Sequence, residues 1–192
     1  MSFDMSFNSY IILINIIGFI FYWIYSKVNK RFIKNISSTM LFLICIGGGP
    51  LGTVLAILIF DRNTKKQGLS LKVFAFVSLF IELILYIIYN KNLDKINLNF
   101  IGFFRVHPYL ILYLLVINFL NFLAFFYDKY KANREDWRLP NGLLLGLSFV
   151  GGSIGGYLAM KLFRHKTKKS YYRIGLPLMV FMHILVLVYF MN

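Results

Sequence analysis

The chain has 192 residues, of which 59% are hydrophobic, 19% aromatic and 15% charged. Soluble domains are about 45–50% apolar and roughly 25% charged, and a soluble fold this small cannot bury so much Phe, Ile, Leu and Tyr. Disorder is excluded by the same composition, and a secreted disulfide scaffold by the single Cys45.

Lipid offers no partner for an open strand edge, so the composition points to an all-α integral membrane protein. Lys and Arg number 21 against 7 acidic residues, a net charge of +14. The basic residues fall between apolar runs, where they anchor helices at anionic lipid headgroups, so the expected partner is the bilayer and no nucleic acid. Residues Met1–Ser9 carry Asp4 and no Lys or Arg, and no small-residue cleavage site follows. The first apolar segment is therefore expected to stay in the mature protein.

Six apolar runs approach the roughly 20 residues that a bilayer core requires. They are Tyr10–Tyr25, Met40–Phe60, Leu71–Tyr89, Tyr109–Tyr127, Leu143–Phe163 and Ile174–Phe190. Trp23, Tyr25, Tyr86, Tyr89, Tyr127 and Tyr189 near their ends suit the membrane interface. Between the third and fourth runs, Leu93, Ile96, Phe100, Ile101 and Phe104 recur at helical spacing opposite Asp94, Lys95, Asn97 and Asn99. That pattern predicts an amphipathic interfacial linker over 91–108. Lys27, Lys30, Arg31 and Lys34 in loop one, Lys91, Lys95 and Arg105 in loop three, and the Arg164–Arg173 cluster in loop five outnumber the basic residues of loops two and four. The bias places loops one, three and five in the cytoplasm and both termini outside a bacterial cytoplasmic membrane.

The chain also repeats itself. Gly48-Gly49-Pro50-Leu51-Gly52, Ala56, Phe60 and Thr64-Lys65-Lys66 recur as Gly151-Gly152-Ser153-Ile154-Gly155, Ala159, Phe163 and Thr167-Lys168-Lys169. All share an offset of 103 residues, as do Asn15 and Asn118. Two three-helix units follow, a degenerate one over 1–90 and a full one over 109–192. Three is odd, so a short linker leaves the second unit entering from the opposite side, an inverted-topology pair.

In the second unit, Tyr127-Asp128-Lys129, Arg138-Leu139-Pro140, Gly151-Gly152-x-x-Gly155 and Phe163-Arg164-His165-Lys166-Thr167 appear in order. This pattern resembles a family of small bacterial membrane proteins classed as a domain of unknown function. The resemblance implies one such unit in most members and no particular activity. The first unit keeps the Gly-rich core but has Tyr25-Ser26-Lys27 and Asp61-Arg62-Asn63 at the charged motifs.

Gly48, Gly49 and Gly52, with Gly151, Gly152 and Gly155, mark either helices broken at matching positions or small-xxx-small packing faces. Pro50 removes a donor and should kink the second run. Glu82 is an acidic residue deep in an apolar run. It suits a proton or cation carrier, or a protonated group bonded to a neighbouring helix. His183 is its possible partner, or a neutral imidazole on a carbonyl. Asn15, Asn118 and Asn121 read as interhelical hydrogen-bonding groups or as ligands. Arg164, His165, Lys166 and Lys168 form a cationic cap that suits a phosphate or a headgroup, flanked by Lys129, with Asp128 expected to pair with Arg138. His107, His165, His183 and Cys45 are scattered, so no metal site or cofactor is expected, and no soluble-enzyme signature is present.

Two classes of function fit. One is a small transporter or channel with its solute or ion between inverted halves and Glu82 as the coupling residue. The other is a lipid-phosphate-binding protein or membrane enzyme using the Arg164–Lys168 surface. An assembly or scaffold protein, with or without homo-oligomers, also fits. The parity of the repeat favours the transporter.

Overall fold

The computed structural model describes residues 7–27, 31–60, 69–90, 98–134 and 137–192. Among these, every regular element is helical. The chain forms α1 (Phe7–Lys27), α2 (Arg31–Ile46), α3 (Pro50–Phe60), α4 (Leu69–Asn90), α5 (Phe100–Val106), α6 (Pro108–Asn133), α7 (Asn141–Leu147), a kink (Ser148–Gly152), α8 (Ser153–Leu162), α9 (Ser170–Arg173) and α10 (Gly175–Met191).

Five helices are long and apolar enough to cross a membrane: Ser9–Lys27, Leu69–Tyr89, Pro108–Asn133, Asn141–Leu162 and Ser170–Met191. The 21 residues of α1 span about 32 Å at 1.5 Å each, close to the roughly 30 Å of a hydrocarbon core. The five correspond to five of the six expected runs. The remaining run, Met40–Phe60, is divided, because α2 ends at Ile46 and α3 begins at Pro50. Large apolar side chains face outward along these helices; Ile12 on α1 and Leu115 on α6 are 62% and 64% exposed. Such a surface is compatible with contact to lipid tails.

The chain folds as two compact units, Met1–Leu83 and Ile84–Asn192. The division falls inside α4, whereas the sequence alone suggests a junction after residue 90. In the first unit, α1 lies against α2 and α3, with Leu41, Ala56 and Ala75 fully buried. In the second, α6 packs on α7 and α8, and α10 on α8, around Phe125, Leu144, Ala159 and Leu176. Proline opens α6 and α3, where its missing N–H costs no intrahelical bond. The Asn99 side chain accepts the N–H of Gly102 at 2.9 Å and caps α5. Of the amphipathic linker, α5 carries Phe100, Ile101 and Phe104. Residues 91–97, together with Lys30, Arg62 and Thr64-Lys65-Lys66, lie outside the described residues.

Candidate functional site

The two glycine clusters are breaks in otherwise apolar helices, and each is held by one asparagine. In the first unit, α2 closes with Gly47 N–H on the Leu43 carbonyl and Gly49 N–H on the Ile44 carbonyl, both at 2.9 Å. Gly48 takes a left-handed φ of 99° to make that turn, which a side chain would strain. Asn15 of α1 then satisfies the exposed backbone. Its Nδ2 donates to the carbonyls of Ile11 and Gly48 at 2.9 Å, and its Oδ1 accepts the Gly52 N–H at 2.8 Å. Tyr10 donates its hydroxyl to the Gly47 carbonyl at 2.7 Å.

The same bonds recur 103 residues later. Asn118 Nδ2 donates to Leu114 and Gly151 at 2.7 and 3.0 Å, and its Oδ1 accepts Gly155 N–H at 2.7 Å. Tyr113 donates to the Val150 carbonyl, and Gly151 has φ 135°. A Cβ at Gly52 would overlap the Asn15 carbonyl oxygen, and one at Gly155 the Asn118 carbonyl oxygen. The helix crossing next to each break is therefore as close as backbones allow. Broken helix and close packing, alternatives in the sequence, are both present. Phe19 on Phe60 and Phe122 on Phe163 complete the correspondence as ring pairs at the far ends of α3 and α8.

The units then diverge at the carbonyl that follows the left-handed glycine. In the first, Thr53 donates its hydroxyl to the Gly49 carbonyl at 2.9 Å, and Gly18 leaves the room. A Cβ on Gly18 would stand 2.9 Å from Thr53 Oγ1. In the second, these positions are exchanged: Asn121 donates to the Gly152 carbonyl at 2.7 Å and Gly156 leaves the room. Asn121 also donates to Ser148 Oγ at 2.8 Å, where the first unit has the Cys45 thiol in contact with Thr53.

The ionisable residues of the third helices meet the breaks as well. Glu82 of α4 reaches the first, its Oε1 3.4 Å from where a Cβ on Gly48 would sit. His183 of α10 reaches the second, with Nε2 2.9 Å from the Phe149 carbonyl and Nδ1 3.0 Å from Ser153 Oγ. A carbonyl only accepts, so Nε2 carries the proton and Nδ1 accepts from the serine. Neither ring nitrogen is left for the expected partnership with Glu82.

A second polar centre occupies the end of α6. Asp128 is fully buried, and its Oδ2 lies 2.6 Å from His165 Nε2 and 2.7 Å from Lys166 Nζ. Its Oδ1 accepts the Leu139 N–H at 3.0 Å. The expected Asp128–Arg138 pair is thus replaced by contacts to the loop after α8. The cause is the backbone of that loop: Arg164 and Lys166 adopt left-handed φ of 47° and 59°, turning His165 and Lys166 inward. Non-glycine residues there cost roughly 1–3 kcal/mol each and persist only where surrounding contacts fix them. Lys166 also donates to Asn141 Oδ1 at 3.0 Å, and the Tyr172 hydroxyl shares that acceptor at 3.2 Å.

Burial is the larger influence on both bases, pushing the His165 imidazole and the Lys166 ammonium below their ordinary ranges against the pull of Asp128. A neutral His165 donating Nε2–H, beside one ammonium and one carboxylate, leaves the centre uncharged overall. Arg164, Lys168 and Arg138 remain exposed, and Lys129 is half-exposed. The cap therefore holds fewer free cations than its sequence suggests. Asn141, Tyr172 and Ser153 gave no sequence signal of their own. Tyr10 and Tyr113 did, since they share the 103-residue offset. Among the described residues, no group of three or more His, Cys, Asp or Glu side chains is placed to hold a metal ion.

Residues 118–172 match the DUF1294 family, described as a protein of unknown function. The match begins at the asparagine of the second break and ends at the tyrosine of the Asp128 centre. The uncharacterised protein YsdA of Bacillus subtilis is 37% identical over 79 residues, covering 41% of this chain and 89% of the relative. No solved structure matches the chain.

Proposed function

From the premise that the chain belongs to the DUF1294 family of bacterial proteins of unknown function, we propose that it is a small transporter or channel for a solute or ion. In this reading, two three-helix units of opposite topology lie in the cytoplasmic membrane with both termini outside. The observation that carries it is the pair of asparagine-held glycine breaks, recurring bond for bond at one offset. Interrupted apolar helices at matching positions of two halves are where membrane transporters expose backbone dipoles to a substrate. Non-helical backbone at membrane depth is tolerated where it is sheltered by protein or lines a wet cavity.

Flux through liposomes containing the purified chain tests the reading, using sodium, potassium and proton gradients and small neutral solutes as probes. At least one should cross faster than in empty liposomes. Asn15→Leu or Asn118→Leu, which dismantle one break each, should cut that rate at least tenfold. Rates equal to those of empty liposomes for every probe would count against transport.

A second reading, binding of phosphate-bearing lipid, draws on the exposure of Arg164, Lys168, Lys169 and Arg173 beside one another in the chain. His165 and Lys166 contribute to it only by shaping the loop. Selective retention of anionic over zwitterionic lipid by the purified protein, lost in Arg164→Gln with Lys168→Gln, is the expected result.

A further inference from the structure

The two breaks differ in what they can still bind. An α-helical carbonyl takes its bond from the N–H four residues on, and for Ile46 that residue is Pro50, which has none. The corresponding carbonyl in the second unit, that of Phe149, receives the Nε2–H of His183, which is itself held by Ser153. The residues equivalent to Ser153 and His183 are Pro50 and Phe80, neither of which can donate a side-chain hydrogen bond. In place of an imidazole donor, the first break has the Glu82 carboxyl against Gly48. The second break caps its Phe149 carbonyl with a donor of its own and, among the described residues, leaves only the buried Asn121 Oδ1 without a partner. The first combines the uncapped Ile46 carbonyl at the end of α2 with an acidic group.

Among the described residues, no ion pair involves Glu82. The titratable groups at this break are Cys45 of α2, engaged with Thr53, and Tyr10 of α1, whose hydroxyl donates to Gly47; α3 contributes none. A carboxylate in an apolar helix without a cationic partner is costly to keep ionised.

We propose that Glu82 and the Gly47–Gly49 break form a binding site for a single positive charge, supplied as an alkali cation or as a proton. The carboxyl oxygens provide the charge; the Ile46 carbonyl, and the second lone pairs of the Gly47 and Gly48 carbonyls that already accept from Tyr10 and Asn15, provide neutral oxygen ligands, the donor set that hard monovalent ions take. The site lies wholly in the first unit. It deepens the transport reading by assigning the coupling ion, and rests on that reading only for the ion's role.

The test is thermal unfolding of the full chain in detergent, titrated with sodium chloride or potassium chloride at constant ionic strength held by choline chloride, and repeated across pH. An alkali cation that binds the folded state raises Tm with its concentration. A rise with sodium or potassium that disappears in Glu82→Gln assigns the alkali ion. No alkali response, with a Tm difference between wild type and Glu82→Gln that changes with pH, assigns the proton. Identical responses of the two proteins to sodium, potassium and pH would overturn the site. Should Glu82→Gln fail to fold, Glu82→Asp retains the charge on a shorter stem. It is then expected to shift the response, and an unshifted response overturns the site equally. Binding and transport fail separately, since a liposome without flux leaves the Tm result standing, and the reverse also holds.

Discussion

The two glycine breaks solve one problem with two chemistries. Each leaves backbone groups without helical partners inside an apolar segment, and each answers first with an asparagine from the preceding long helix. Asn15 and Asn118 use the same atoms on the same backbone groups, so this part of the design is duplicated without change. Beyond it, the second unit adds polar groups that close on one another: Asn121 with Ser148, His183 with Ser153 and Phe149, Asp128 with His165 and Lys166. At the positions 103 residues earlier in the first unit stand Gly18 and Cys45, Phe80 and Pro50, and Tyr25; the register of the matching bonds thus sets Tyr25 against Asp128, where the Tyr25-Ser26-Lys27 motif suggests Ser26. The duplicated part is what keeps an interrupted helix intact. The part that differs sets a neutral imidazole donor, with the unpartnered Asn121 Oδ1 nearby, at the second break and an ionisable carboxyl at the first.

The largest expected effect separates Asp128 from Tyr25. Lys166→Met leaves a fully buried carboxylate without its cation and should destabilise the second unit by about 3–5 kcal/mol. Tyr25→Phe, at the matching place in the first unit, should cost about 1 kcal/mol or less. Denaturant unfolding in detergent, followed separately for each unit by a local probe, reads both; equal losses would break the comparison. Next come Gly52→Ala and Gly155→Ala. Each puts a methyl group onto a backbone oxygen and should cost about 1–3 kcal/mol by overpacking, to a similar degree in the two units. Markedly unequal costs would mean that the breaks are not equivalent.

A smaller effect comes from exchanging the two carbonyl caps. Asn121→Gly should lose about 1–2 kcal/mol through the uncapped Gly152 carbonyl. Adding Gly156→Thr, which copies the Gly18–Thr53 arrangement, should restore most of it. A double variant no better than the single one would show that the exchange is not a like-for-like replacement. The smallest effect is on pH dependence. The His165 pKa is lowered by folding, so the unfolded chain takes up a proton first as the pH drops. The His165 contribution to stability is therefore complete above about pH 6.5 and falls as the pH drops below it. His165→Gln keeps a donor for Asp128 and should flatten that fall, as measured by Tm across pH.

Much of this was legible in the sequence because glycine, proline and asparagine report on the backbone. Gly48 and Gly151 occupy left-handed positions that only the chain itself dictates, and the shared offset of Asn15 and Asn118 marks the groups that bond to those turns. The helices were legible from the length of their apolar runs, except that the run through Pro50 conceals a stop between α2 and α3. Side-chain pairing was not legible. Asp128 lies 10 residues from Arg138 and 37 from His165 in the sequence, and only the left-handed turns at Arg164 and Lys166 bring the distant pair into contact. His183 gave no hint that its proton goes to Phe149, because the acceptor is a backbone carbonyl at the kink made by Gly151.

The proposal that the two units enter the membrane from opposite sides is tested most directly by labelling single cysteines in a Cys45→Ala background. One is placed at Lys65 and one at Lys168, positions that share the 103-residue offset. A membrane-impermeant thiol reagent applied to intact cells should modify the cysteine at 65 from outside and reach the one at 168 only after the membrane is opened. Labelling of both from the same side would contradict the inverted arrangement.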